Sequence, residues 1–332
     1  MTQNRAWTLA SYPTGWVTEQ NFKLVESPAP APQDGEVLVK NHWLSLDPYM
    51  RGRMSQQKSY AKGVEIGEVM TGQTVGEVLE SKDPAFKPGE KVLTQLGWQL
   101  YGCAKGTELN KLPEGRAPLS YYLGCLGMPG MTAYFGLNEI GQPKKGETVV
   151  VSAASGAVGS VVGQLAKIAG CRAVGIAGGK EKCDYVVKEL GFDACIDYKA
   201  GNLYRDLKDA CPKGVDVYFE NVGGEILDTM FRLMNPFSRI VVCGRIAEYN
   251  ATEPYGVKMF GSILVNRIKV QGMIVFDWKD RYGEALKALG GQLAAGKLKY
   301  RESVLEGIEN APKGLIGLLK GQNFGKQLVK LA

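Results

Sequence analysis

The chain has 332 residues, 45% of them hydrophobic, with 40 Lys and Arg against 34 Asp and Glu for a net charge of +6. That length suits two domains of an enzyme-sized protein, and no window holds the dense block of Lys and Arg that a nucleic-acid surface needs. Seven cysteines without a C-x-x-C pair fit reduced thiols in a cytoplasmic protein, while a single histidine, His42, makes a His-based metal cluster or a Ser-His-Asp triad very hard to build. Chemistry is therefore expected from a cofactor, or from tyrosines, lysines and carboxylates.

In chain order, Ser11, Pro13 and Gly15 interrupt the first twenty residues, so no secretory signal is expected. The first 120 residues or so read as short strands between Gly/Pro turns, among them Glu36–Lys40, Thr74–Leu79 and Lys91–Thr94. His42 sits in the apolar-rich stretch 37–46 and is expected to be packed or at the surface. Met131–Ile140 reads as a helix. Strands then alternate with helices: strand Glu147–Val151, a helix closed by Gly170, strand Ala173–Ala177, helix Glu181–Leu190 and strand Ala194–Ile196. Helix Leu203–Ala210, strand Val215–Phe219, helix Glu225–Met234, and strands Arg239–Cys243 and Ile268–Phe276 follow, before a last amphipathic helix, Arg281–Ala295. This is the grammar of β-α-β units and a parallel sheet. Residues 148–166 are uncharged but carry Ser152, Ser155, Gly156, Gly159 and Gln164, which is unlike a membrane span. The expected organisation is α/β: a Rossmann doubly wound domain at 123–297, inserted into a β-rich domain of 1–122 plus 298–332.

Ala154-Ser155-Gly156-Ala157-Val158-Gly159 has the spacing of G-x-G-x-x-G with alanine in the first place, between a strand and a helix. Gly156 would let the backbone approach a pyrophosphate, the N–H groups opening the helix would face its charge, and Gly159 would allow close helix–strand contact. The second strand ends in Gly178-Gly179-Lys180-Glu181-Lys182 where NAD-binding units usually place an acidic residue for the ribose 2′-hydroxyl. Lys180 and Lys182 would accept a 2′-phosphate that a carboxylate would repel, so the expected cofactor is NADPH/NADP⁺.

Pro88-Gly89-Glu90-Lys91-Val92, the 126–134 segment beginning Leu126-Gly127-Met128-Pro129-Gly130, and Glu220-Asn221-Val222-Gly223-Gly224 add further markers. The 44–51 segment (Leu-Ser-Leu-Asp-Pro-Tyr-Met-Arg) and the 319–326 tail (Leu-Lys-Gly-Gln-Asn-Phe-Gly-Lys) are more specific. Over essentially its whole length the chain resembles the zinc-independent medium-chain dehydrogenase/reductases, in particular the prostaglandin reductase/alkenal reductase group and its bacterial curcumin-reductase branch. The resemblance implies a GroES-like, partly barrel-shaped first domain, a Rossmann domain, an active site in the cleft between them, and a homodimer pairing through strands near 268–276.

In zinc-dependent relatives a Gly-His-Glu segment carries the metal; here the similar stretch is Gly72-Gln73-Thr74, and the four-cysteine zinc lobe is absent, so no metal is expected. Reduction of a carbon–carbon double bond conjugated to a carbonyl survives without a Lewis acid, because the enolate formed needs only hydrogen-bond donors and a proton. The expected activity is NADPH-dependent reduction of enones and enals. A quinone or secondary-alcohol oxidoreductase is an alternative, and a non-catalytic nucleotide-binding or RNA-associated module is another. Tyr249 and Tyr60 are the expected catalytic donors, with Tyr49, Tyr60 and Tyr249 lining the substrate site. By the resemblance, cofactor contacts fall on Gly156, Ala157, Val158 and Gly159, on Lys182 and Tyr198, and on Asn221. They continue over Cys243, Gly244, Arg245, Ile246 and Tyr249, then Met273, Ile274 and Val275, and Asn323. Two departures stand out. The tyrosine that prostaglandin reductases carry eight residues before the position of Met273 is Val265 here, and the family's proline-rich loop is shortened to 252–256.

Overall fold

The computed structural model describes residues 2–113, 115 and 117–331, which fall into two units: Met1–Gly124 with Glu302–Ala332, and Cys125–Arg301. The first unit starts with an antiparallel ribbon of β1 (Gln3–Leu9) and β2 (Phe22–Pro28). The long strand β3 (Glu36–Ser45) follows, with the one-turn helix α1 (Tyr49–Arg53), then β4 (Thr74–Ser81), β5 (Lys91–Thr94), β6 (Tyr101–Lys105) and β7 (Asn110–Lys111). Alternate residues of these strands turn inward, so Val37, Val39, Val78 and Val92 meet Phe86 and Leu109 in one apolar cluster. The β3–β4 register shifts between Asn41 and Trp43, and the residue left over in this bulge is His42. Its Nε2 lies 3.5 Å from a Glu77 oxygen, and burial, then the nearby Lys91 charge, lowers its pKa.

The second unit begins with α2 (Met128–Phe135). Its sheet comprises β8 (Thr148–Ser152), β9 (Arg172–Ala177), β10 (Ala194–Asp197), β11 (Val215–Glu220), β12 (Met234–Val242) and β13 (Lys269–Gly272). All pairings are parallel, in the order β10-β9-β8-β11-β12-β13. Counted from β8 this is 3-2-1-4-5-6, the doubly wound order. Between the strands run α3 (Gly159–Ile168), α4 (Lys180–Lys188), α5 (Leu203–Ala210), α6 (Gly224–Phe231) and α7 (Ser262–Asn266), and α8 (Tyr282–Ala294) follows β13.

Three elements differ from the sequence expectation. The helix expected at 131–140 ends at Phe135 and loosens into a π-helical turn over Gly136–Gly141. Gly136 lies so close to Phe219 and Met273 that an added Cβ would fall 2.7 and 2.6 Å from their side chains. The helix expected at 225–234 stops at Phe231, because Met234 already pairs with Val215 in the sheet. The strand expected at 268–276 covers only 269–272, and the chain then turns into a 3-10 segment, Val275–Arg281. Packing decides this last case: Val275 and Trp278 cover Met131 and Phe135, with the Phe135 and Trp278 rings stacked at 5.6 Å.

The chain returns to the first unit as β14 (Glu302–Glu306), α9 (Ala311–Leu319) and β15 (Lys326–Lys330), with β15 antiparallel to β3. Lys326 Nζ lies 2.6 Å from Asp47 Oδ1 and donates to the Leu46 carbonyl at 2.8 Å; both side chains are almost wholly buried. Ser45 Oγ donates to the other Asp47 oxygen. Breaking such a pair strands one charge in the interior, so Lys326→Met is expected to destabilise the protein by about 3–5 kcal/mol in urea titration. The double variant D47L/K326M, which removes both charges, should recover most of that loss.

Candidate cofactor and substrate site

The turn after β8 is built from small residues because several backbone segments meet there. An added Cβ on Gly159 would lie 2.4 Å from the Ala153 carbonyl oxygen, pushing the first turn of α3 off the loop. Ala154 takes the place of the motif's first glycine, and Gly175 on β9 makes room for it: a Cβ there would come within 2.7 Å of the Ala154 Cβ. Ala153 itself holds a left-handed conformation, φ 51°. Gly156 N–H donates to the Ala153 carbonyl at 2.8 Å. Val158, the residue before α3, provides no side-chain cap; Ser160 N–H already bonds the Gly156 carbonyl and Val161 and Val162 N–H that of Val158, which leaves the N–H groups of Ala157, Val158 and Gly159 to face an anion.

At the tip of β9 the Tyr198 ring lies on Gly178, where an added Cβ would be 2.8 Å from the ring and 3.0 Å from both the hydroxyl and Lys199 Cε. Lys182 is half-buried; burial, then the Lys199 ammonium, lowers its pKa. The Asp197 carboxylate is engaged by backbone, accepting from Gly179 N–H at 2.8 Å and Lys199 N–H at 3.0 Å. Lys180 differs from the expectation: it is exposed and paired with Asp184 at 2.6 Å. The cationic place is formed by Lys182 and Lys199 beside Tyr198. Lys199 was not singled out in the sequence; its signal is adjacency to Tyr198.

At the end of β11, Glu220 is fully buried, and desolvation raises its pKa against the hydrogen bonds that lower it. One oxygen accepts from Ser152 Oγ at 2.9 Å and from Val222 N–H at 2.5 Å. Ser152 in turn receives Asn221 N–H on its hydroxyl and the Asn221 side-chain amide on its carbonyl, both at 2.8 Å. The 243–247 segment runs alongside: Cys243 and Gly244 N–H bond the Glu220 carbonyl at 2.9 and 3.1 Å, Ile246 N–H that of Asn221 at 3.2 Å. Burial pushes the Cys243 thiol up to about 12. Tyr249 folds back so that its hydroxyl lies 3.4 Å from Arg245 N–H, directly over Gly244, while Arg245 pairs with Glu248. Met273 N–H bonds the Val242 carbonyl at 3.1 Å, and Met273 and Val275 are buried. The short 252–256 segment is tied down by Tyr255, whose hydroxyl donates to Asp228 at 2.8 Å.

In the first unit, Tyr49 and Tyr60 are brought together by Arg53, whose guanidinium lies over both rings. Tyr49 is partly buried, and its pKa is raised, first by burial and then by Asp47, which keeps the hydroxyl a neutral donor. Asn323 donates its amide to the Gly325 carbonyl at 2.8 Å, a local turn bond.

Two family models match, described as "N-terminal domain of oxidoreductase" over residues 5–112 and "Zinc-binding dehydrogenase" over 157–290. The donor set does not fit the zinc of the second description. Among the described residues no group of three or more His, Cys, Asp or Glu side chains could hold a metal ion, and the Gln73 side-chain oxygen is buried without a hydrogen-bond partner. The NADPH-dependent curcumin reductase of Escherichia coli (strain K12) is 48% identical over 99% of this chain and 97% of that protein. The 2-alkenal reductase (NADP(+)-dependent) of Nicotiana tabacum is 44% identical over 99% and 98%. The crystal structure of CurA from Vibrio vulnificus in complex with NADPH superposes with a TM-score of 0.95, 50% identical over 99% of each chain. The dinucleotide-type loop, the doubly wound sheet and these full-length likenesses agree: the chain belongs to the medium-chain dehydrogenase/reductase family, in the group of the curcumin, 2-alkenal and prostaglandin reductases.

Proposed function

We propose that the protein reduces the carbon–carbon double bond of α,β-unsaturated ketones and aldehydes with NADPH. The observation that carries the cofactor choice is the cationic tip of β9, where Lys182 and Lys199 crowd beside Tyr198 while Asp197 is occupied by backbone. The full-length likeness to reductases named for curcumin and 2-alkenals supports the substrate class.

When bound, NADPH supplies a hydride to the substrate's β-carbon. The chain's own residues do the rest. The N–H groups of Ala157, Val158 and Gly159 would hold the pyrophosphate, with Gly156 giving the backbone room to approach it, and Lys182, Lys199 and Tyr198 would hold the 2′-phosphate. Asn221, the 243–246 segment, Met273–Val275 and Asn323 border the remainder of the cofactor. Tyr249 donates a hydrogen bond to the substrate carbonyl oxygen as negative charge collects there, with Tyr60 as second donor and Tyr49 lining the site. Exposed Phe260, Leu264, Val265 and Val270 on and near α7 and β13, at the open edge of the sheet, support a homodimer formed through that edge. All seven cysteines are free thiols, which supports a cytosolic setting; no helix of the described residues is long and apolar enough to cross a membrane.

Loss of absorbance at 340 nm with NADPH, against a 2-alkenal, an aryl enone, a quinone and a saturated ketone, tests the reaction. The enal and enone should be consumed and the saturated ketone left untouched; turnover of the quinone alone would replace this reading. Lys182→Ala should raise the KM for NADPH at least ten-fold and leave that for NADH within about two-fold; equal effects would remove Lys182 from the 2′-phosphate. For Tyr249→Phe the fall is expected in kcat, by about 10²-fold, with KM little changed. Sedimentation equilibrium should give a dimer, and Leu264→Asp a monomer.

A further inference from the structure

Arg53 is a cation enclosed by aromatic faces. It closes helix α1, and Tyr49, four residues earlier, lies on the same side of that turn. Its guanidinium carbon is 4.6 Å from the Tyr60 ring centre and 5.6 Å from that of Tyr49, within cation–π range of both. Arg53 is 7% exposed, whereas Tyr60 is 53% exposed. Among the described residues Arg53 forms no ion pair; its Nη1 donates to the Ala61 carbonyl at 2.9 Å.

The same residue also holds the neck of the loop that carries Tyr60. Its main-chain carbonyl accepts Val64 N–H at 2.8 Å. Next to it Gly63 passes so close to Ser55 that an added Cβ would lie 2.5 Å from that residue's carbonyl oxygen. Residues 54–64 thus leave and return at one point, an Ω-like loop with Arg53 reaching into it. Between its buried ends, Met54 and Val64, the loop is mostly polar: Ser55, Gln57, Lys58, Ser59 and Lys62 line an open depression of about 600 Å³ together with Tyr12 and Ala61.

We propose that Arg53 is a positioning residue for substrate binding, holding the Tyr60 ring and its loop in place through the Tyr49–Arg53–Tyr60 stack. The inference rests on the reading that Tyr60 lines the substrate site. Lysine cannot replace Arg53 here, because a compact ammonium lacks the plane that lies on the ring and the fork that reaches Ala61.

A double-mutant cycle of Arg53→Met and Tyr60→Ala, read with 4-phenylbut-3-en-2-one and NADPH, tests it. Each single variant should raise the enone KM about five-fold, the effect of one lost cation–aromatic contact, and lower kcat as well because the second donor is lost or displaced, with NADPH affinity unchanged. The double variant should be no worse than Tyr60→Ala alone. Multiplied effects would show Arg53 acting independently of Tyr60 and overturn the proposal. A raised KM in Tyr60→Ala with none in Arg53→Met would overturn it too, while leaving Tyr60 at the substrate. An unchanged KM in Tyr60→Ala would instead refute the reading of the site on which the inference stands. Thermal melts accompany each variant, and if Arg53→Met does not fold, Arg53→Lys takes its place in the cycle with the same expected and overturning results.

Discussion

An ammonium and a carboxylate at 2.6 Å, both almost wholly removed from water, join Lys326 to Asp47 across 279 residues of sequence. Two buried charges are tolerable only if each is neutralised and hydrogen-bonded, and here the Leu46 carbonyl and Ser45 hydroxyl complete the set. The bond fixes the start of β15 against the end of β3, and it holds the backbone two residues ahead of Tyr49. The α1 turn, and with it the Tyr49–Arg53–Tyr60 stack, hangs from this anchored point. A first unit made from two distant stretches of chain needs such a contact, since the entropy of bringing remote ends together opposes its closure.

The second unit depends on a different constraint, the close approach of backbone. Gly159 against Ala153, Gly175 against Ala154 and Gly178 beneath Tyr198 are three places where one added carbon would collide. They lie at the β8–α3 turn, on β9 and at the tip of β9. The alanine in the first position of the loop motif is thereby explained: the space it takes is given up by the glycine on the adjacent strand. Buried Glu220 works on the same scale, its carboxylate gathering Ser152 and the Val222 N–H so that the ends of β8 and β11 are tied by side chains as well as by the sheet.

Much of the site could be read from residue type and spacing. The loop at 154–159 follows its strand and opens its helix as the motif requires, and the glycine–lysine tip of β9 carries the sign of the charge it would meet. Other parts could not be read that way. Lys180 and Lys182 look equivalent in sequence, yet a helical turn places Asp184 opposite Lys180, while Lys182 is half-buried beside Lys199. Arg53 resembles any helix-end arginine until Tyr60, seven residues on, folds back over it. The Asn323 amide bonds locally to the Gly325 carbonyl while that of Asn221 crosses to Ser152 on the neighbouring strand, which spacing alone does not reveal.

From sequence alone came the alternation of strands and helices from residue 147 onward, the glycine turn and the scarcity of histidine, because periodicity and composition are local properties. Tertiary structure decided where elements stop. Met234 left its helix for a sheet partner, and Val275 left its strand to cover Phe135. Both are apolar residues in apolar runs, consistent with either element, and the choice falls to whichever neighbour buries them more completely. Tertiary structure likewise chose the ion pair of Lys326 and the stack of Arg53, since a charge reads as solvated in sequence until distant residues enclose it.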